Sequence, residues 1–195
     1  MVDPAGIEIV PLTPERWADI EDLFGPERGA QSGCWCLWPL LPRKDFRALA
    51  PAERKAQFRA RVESGPPLGL LAYADRKAVG WCAVAPRTRA LGFDASRLSR
   101  AELGDAPSDV FAITCFHVRA GHRRKGLTPL LAKAAIADAR AQGARAVEAC
   151  PIDTGRELAS GEGFVGLASV FHRLGFREIA RRSPQRPLMR LDLHP

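Results

Sequence analysis

"HVRAGHRRKGLTPLL", residues 117–131, sets a basic, glycine-containing turn between two apolar segments of different period. Before it, "DVFAITCFHV" (109–118) is β-branched, aromatic and apolar nearly throughout, the pattern of a central strand buried on both faces. After it, Leu127, Leu130, Leu131, Ala134 and Ala135 fall on one stripe of a helix that stops at Gly143. The first amides of such a helix lack intrahelical partners and carry the positive end of its dipole. An anion seated there satisfies both. Gly126 lets the backbone come close to it, and Arg123, Arg124 and Lys125 add charge at the rim. A solvated basic turn would need none of this order. The strand–glycine–helix sequence points to a bound pyrophosphate.

The spacing Gly121-x-x-x-x-Gly126-Leu127-Thr128 falls one residue short of a nucleotide-binding P-loop, GxxxxGK[ST]. Leu127 stands where the lysine would reach the β and γ phosphates, so an NTPase is excluded. Outward from the turn, "IEIVPL" (7–12) reads as an opening strand and "TPERWADIEDLFG" (13–25) as a helix capped by Thr13. "GAQSGCWCLWPLLPRKDF" (29–46) is too rich in Gly, Pro and Trp for a regular element, and "APAERKAQFRARVES" (50–64) reads as a helix. "LGLLAYAD" and "AVGWCAVAPR" form a hairpin around Asp75–Arg76. A loop with a short helix spans 88–108. After the central helix come a strand in "RAVEAC" (145–150), a helix in "FVGLASVFHRLGF" (164–176) and two last strands, "REIARR" and "PLMRLDL". This alternation predicts a mixed α/β sheet.

The 195 residues suit one well-buried domain, and 46% hydrophobic with 26% charged residues is an ordinary globular balance. The opening "MVDPAGIEIVPLTPERW" lacks a basic start and apolar run, which argues against a secretion signal, and no stretch reaches a bilayer-spanning length. Five cysteines, an odd number, favour a reduced cytoplasmic protein. The net charge of +7 invites an anionic partner, but no zinc-finger spacing or RNA signature accompanies it, so nucleic acid is not expected; nor is a membrane.

The run Arg123-Arg124-Lys125-Gly126-Leu127-Thr128 resembles motif A of the GNAT N-acetyltransferase superfamily, [QR]-x-x-G-x-[GA]. Val118 stands five residues before it, where that family places the strand residue whose backbone meets pantetheine. "AVGWCAVAPR" (78–87) resembles the preceding strand, "ARAQGARAVEACPID" (139–153) the helix end and next strand, and "VFHRLGFREIARR" (170–182) the late Y-x-x-x-GF segment. The likeness covers roughly residues 70–193. It implies a single domain over 1–195 with a mostly antiparallel sheet, splayed central strands and flanking helices. Residues 1–65 would form the acceptor side.

The resemblance also implies direct transfer of an acetyl group from acetyl-CoA to a primary amine, with no metal, the acceptor being a small molecule or peptide. A homodimer is compatible with it. His117 and Val118 would border the pantetheine, and residues 123–128 would hold the pyrophosphate. The family's strand glutamate is replaced by Ala112, which leaves Glu148, on the neighbouring strand, as first candidate base and Asp153 as second. Its tyrosine acid is replaced by Phe171, so His172, His117 or water would serve; Tyr73, the one tyrosine, lies in an earlier strand. Thr128 occupies the last small position of the motif, and with Pro129 also reads as a helix cap.

Trp35 and Trp38, within "GCWCLWPLLP", would line an acceptor pocket or anchor their loop. Cys34 and Cys36 lack the second pair that a metal site would need. Seven basic and two acidic residues between Arg43 and Arg61 favour neutral or acidic acceptors. The rival reading is a CoA-binding sensor with a degenerate catalytic centre, which Ala112 and Phe171 favour.

Overall fold

The computed structural model describes residues 6–27, 29–102, 104–156, 158 and 162–193. Residues 1–5, part of the segment read above for a signal, lie outside them. Seven strands make one sheet: β1 (Glu8–Pro11), β2 (Gly69–Ala74), β3 (Lys77–Pro86), β4 (Val110–Val118), β5 (Ala146–Ala149), β6 (Arg177–Arg181) and β7 (Pro187–Asp192). Their order is β1-β2-β3-β4-β5-β7-β6. Every neighbouring pair is antiparallel except β4 and β5. The β2–β3 hairpin turns through Asp75 and Arg76, both at positive φ (49° and 60°), as a two-residue turn of right-handed twist requires. Two parallel strands need a long crossover, and α5 (Leu127–Ala141) supplies it between β4 and β5.

The sheet is covered on both faces. On one, α5 lays Leu127, Leu131, Ala132, Ala135, Ile136 and Ala139 onto Val79, Val84 and Ile113. This stripe is turned slightly from the predicted one, for Leu130 and Ala134 are half-buried. On the other face, α1 (Trp17–Phe24) and α3 (Pro51–Ser64) pack an aromatic cluster of Trp17, Phe24, Trp35, Phe58 and Trp81. Burying such rings is worth a few kcal/mol each, so this cluster ties the N-terminal third to the sheet.

Three local expectations are corrected. The helix expected over 13–25 is split: a 3₁₀ turn covers Pro14–Arg16 and α1 starts at Trp17. Thr13 caps no amide; its hydroxyl oxygen accepts from Arg16 Nη1 at 3.0 Å. The segment read as irregular to Phe46 holds a short helix, α2 (Arg43–Ala48). Another short helix, α4 (Leu91–Asp94), lies in the loop after β3. The helix expected over 164–176 shrinks to α6 (Ala168–Arg173), because Gly166 breaks the run at φ +80°. A Cβ at Gly166 would stand 2.8 Å from the Phe171 ring, so both conformation and space demand glycine there.

Two features of β4 create a gap in the sheet. First, β5 pairs with Val110–Ile113 alone, while β4 runs on to Val118. Second, Ala83 faces Cys115 and Val84 faces Ile113, which leaves Thr114 as an unmatched bulge residue. Bulges bend and twist the strand that carries them. The central strands therefore part beyond Ile113.

Candidate active site

A cleft of about 780 Å³ opens where β4 and β5 part. Cys115, Phe116, His117 and Val118 form its floor along β4. Arg123, Arg124, Gly126, Leu127, Thr128 and Pro129 line it from the turn and the start of α5. Phe24 of α1, Ala30, Ser32, Cys34 and Trp38 of the loop that follows, and Leu158, Phe164, Leu167 and Val170 complete the lining.

The turn has the shape an anion needs. Gly126 precedes α5 at φ +78°, and Arg124, two residues earlier, sits at φ +60°. Left-handed residues spaced this way curl successive amides toward one concavity. The amides of Lys125, Gly126, Leu127 and Thr128 donate to no other described residue. A non-glycine residue held at positive φ costs about 1–2 kcal/mol, and such strain concentrates at functional sites. Arg123 is pinned at the strand end, where its Nε donates to the Val118 carbonyl at 3.0 Å. Thr128 is the second residue of α5 and makes no side-chain cap, so the capping role read for it does not hold. Lys125 is exposed and stands outside the lining.

His117 is held neutral. Burial and then the charge of Arg123 push its pKa down to about 4, against a hydrogen bond to the Leu23 backbone that favours the proton. Its ring meets Phe24 edge-on at 5.5 Å. With one ring N–H on the Leu23 carbonyl, the other nitrogen is an acceptor. Two further polar atoms on lining residues, Trp38 Nε1 and His122 Nδ1, are buried with no partner among the described residues. Such orphans are rare in folded proteins, and a bound molecule is one way to satisfy them.

Other sequence candidates lie elsewhere. Glu148, 2% exposed, is enclosed by arginines: Oε1 accepts from Arg190 Nη1 at 3.0 Å, and Oε2 meets Arg87 Nη1. It stands outside the cleft lining. Asp153 borders a separate, smaller pocket of about 420 Å³ and pairs with Arg181 at 2.8 Å. Trp35, 1% exposed, stacks on Trp17 at 6.1 Å and anchors its loop, while Trp38 reaches the cleft. Phe171 is fully buried against Phe176, with centroids 5.0 Å apart. His172 is exposed, and the Tyr73 hydroxyl donates to Asp19 at 2.6 Å. Burial and that carboxylate drive the Tyr73 pKa up.

Sequence reading did not place Phe164 and Leu167 at the cleft, which they line. Phe164 and Leu167 sit among glycines in "GEGFVGL", a run with no period to betray a buried face. They were read as the start of the 164–176 helix, whereas Phe164 lies in a 3₁₀ turn over Glu162–Val165 and Leu167 precedes α6; the interrupting Gly166 was the available signal.

A sequence profile described as the Acetyltransferase (GNAT) family matches residues 34–159. The chain belongs to this family. Solved structures agree on the GNAT fold. A GCN5-related N-acetyltransferase from Kribbella flavida superposes with a TM-score of 0.57 at 18% identity, covering 98% of this chain and 100% of that one. An N-acetyltransferase from Staphylococcus aureus Mu50 gives 0.56 at 16% identity, with 96% and 99% covered. The PaiA N-acetyltransferase from Thermoplasma acidophilum, solved in complex with coenzyme A, gives 0.53 at 13% identity, with 96% and 99% covered. No curated protein sequence matches. As a GNAT domain the chain has the mixed, mostly antiparallel sheet expected from its motifs. Among the described residues no three His, Cys, Asp or Glu side chains gather as a metal site, and no helix is long and apolar enough to cross a membrane.

Proposed function

We propose that this chain is an acetyl-CoA-dependent N-acetyltransferase acting directly on a primary amine. The observation that carries the reading is the concave turn at Arg123–Thr128, whose amides from Lys125 to Thr128 donate to no other described residue, opening into the cleft between parted strands. These residues fit a diphosphate ester: backbone donors and a helix N-terminus face it, with guanidinium groups at the rim. The Gly126 position is open, since a Cβ there would meet nothing within 4 Å.

Bound acetyl-CoA would supply an acyl group already activated as a thioester. The chain's part is to hold, orient and manage protons. Beyond Ile113 the β5-facing edge of β4 has no strand partner among the described residues, so its amides are available to pantetheine and to a developing oxyanion. The amine must react in its neutral form. Glu148 and Asp153 are committed to arginines, so we assign amine deprotonation to solvent and give the acceptor nitrogen of His117 the role of orienting the N–H. With Phe171 in the core, the departing thiolate takes its proton from water. Residues 1–65, which bring Phe24 and the 30–38 loop to the cleft, would form the acceptor side of a single domain. Five cysteines, all thiols, suit a cytoplasmic setting.

The test pairs calorimetry with turnover. CoA should bind, and acetyl-CoA with an amine panel should release free thiol. Gly126→Glu, which puts a carboxylate into the concavity, should weaken CoA binding at least a hundredfold while the far-ultraviolet spectrum stays native. Unchanged affinity would end the proposal. A second reading, a CoA-binding sensor, is favoured by Ala112, Phe171 and a lining without a described carboxylate. Tight CoA binding with no thiol release from any amine would select it.

A further inference from the structure

Two thiols from distant parts of the chain meet beside the cleft. Cys115 on β4 faces Ala83 on β3, and Trp81, two residues along β3, turns its ring to the same side, into the aromatic cluster. Cys36, from the loop after α1, belongs to that cluster too. Trp81 Nε1 donates to Cys36 Sγ at 3.1 Å, and the Cys36 and Cys115 thiols hydrogen-bond to one another. Both are nearly buried, Cys36 at 2% exposed and Cys115 at 5%, but Cys115 forms part of the cleft floor and Cys36 stands outside the lining. A small solute in the cleft therefore meets Cys115 first. The backbone fixes Cys36 in place: Trp35 and Cys36 both sit at positive φ, 46° and 50°, a conformation that residues with a Cβ keep only where their surroundings compel it. Acetyl transfer as described above uses neither thiol.

We propose that Cys36 and Cys115 are a redox-active pair, joined into a disulfide by a hydroperoxide that enters the cleft and parted again by a dithiol. In the first step the Cys115 sulfur attacks the peroxide. An S–O bond forms, the O–O bond breaks, and the displaced hydroxide leaves as water with the thiol proton, which makes Cys115 a sulfenic acid. In the second step the Cys36 sulfur displaces that hydroxyl group, which takes the Cys36 proton and leaves as a second water. The two thiols give up two electrons and the peroxide receives them. Burial pushes the Cys36 thiol well up, which suits the resolving partner rather than the thiol that meets the oxidant. The indole N–H on its sulfur stabilises the charge that develops as the proton departs. The other cysteines are placed differently. Cys34 lines the cleft two residues from Cys36, Cys82 belongs to the core on the opposite face of the sheet, and Cys150 lies in a third cluster. A Cys36–Cys115 bond ties the 30–38 loop to the cleft floor and closes a long loop of chain, which restrains the unfolded state. A pair that rests as thiols and is oxidised transiently suits a reducing compartment.

The experiment treats the folded protein with a small molar excess of hydrogen peroxide, blocks remaining thiols with N-ethylmaleimide and reads the digest by mass spectrometry. A peptide pair linked through Cys36 and Cys115, lighter by two hydrogens, should dominate, and dithiothreitol should restore both thiols. The urea midpoint of the oxidised protein should rise by about 1 M, the scale expected when a long loop is closed. Cys115→Ala should lose both the link and the rise, whereas Cys34→Ala should keep both. Where a variant fails to fold, the wild-type digest decides alone. A link through Cys34 in place of the expected one, oxidation of wild type confined to Cys34, or five thiols untouched by excess peroxide would overturn the inference. None of these readings requires CoA to bind, so the pair and the acetyl-transfer reading stand or fall separately.

Discussion

Arginines gather at both ends of β4, and the two groups differ in what answers them. Where β4 still pairs with β5, Arg87 and Arg190 are almost wholly buried and enclose Glu148. Arg87 also reaches Asp94 at 2.7 Å and the Ser99 carbonyl at 2.7 Å; Arg190 reaches Asp105 at 2.7 Å and Asp192 at 2.6 Å. Where the strands have parted, Arg123 and Arg124 are exposed beside a cleft with no acid in its described lining. The first group is complete within the chain. Beside the second, the amides of Lys125, Gly126, Leu127 and Thr128 donate to no other described residue. The same residue type thus closes the fold, buried around a carboxylate, at one end of a strand and stands exposed at the rim of a cleft at the other.

The strongest way to break this comparison is at Glu148. Glu148→Gln leaves two buried guanidinium groups facing a neutral amide, and removing one partner of a buried ion pair costs about 3–5 kcal/mol. Chemical denaturation should register a loss of that size. The fraction still folded should bind CoA within about threefold of wild type, since Glu148 lies outside the cleft. A stable variant with lost CoA binding would reverse the roles given to the two ends.

His117 stands between the groups and yields a pH signature. Its pKa falls from 6.5 unfolded to about 4 folded, so the unfolded chain takes up the proton first. Its contribution to stability is therefore full above about pH 6.5, drains as the pH drops toward 4, and falls no further below that. After discounting for partial solvent access, the effect is on the order of 2 kcal/mol. Urea melts of wild type and His117→Gln between pH 4 and 7 should differ in slope by this amount. Parallel lines would show that His117 is not held neutral by its surroundings.

Much of this was legible in the chain. The buried run 109–118, the glycine turn and the stripe from Leu127 gave the central strand–turn–helix, because local periodicity and helix-end chemistry act over neighbouring residues. The turn Asp75–Arg76 gave its hairpin for the same reason. Partnership across long separations was not legible. Glu148 meets Arg87, 61 residues away, and Arg190, 42 residues away, and no spacing rule signals either pairing. Trp35 and Trp38, three residues apart, part company because Trp35 stacks on Trp17 while Trp38 turns to Phe164. The bulge at Thr114, which helps open the cleft, depends on the register with β3.

The smallest effect sharpens the comparison most, because it separates stability from binding at one residue. Arg124 holds φ +60° in the turn, a conformation that costs a residue with a Cβ about 1–2 kcal/mol. Arg124→Gly removes that strain and the guanidinium together. Glycine's extra freedom when unfolded offsets part of the relief, leaving a net gain of about 0.5 kcal/mol. CoA affinity should fall about tenfold, the loss of one charge-assisted phosphate contact. Arg124→Lys keeps the strain and the charge, so it should match wild type in stability and lose no more than threefold in affinity. None of the buried arginines can behave this way: substituting Arg87 or Arg190 abandons a carboxylate in the core. If Arg124→Gly instead destabilised the protein and left CoA binding intact, Arg124 would belong with the arginines that close the fold.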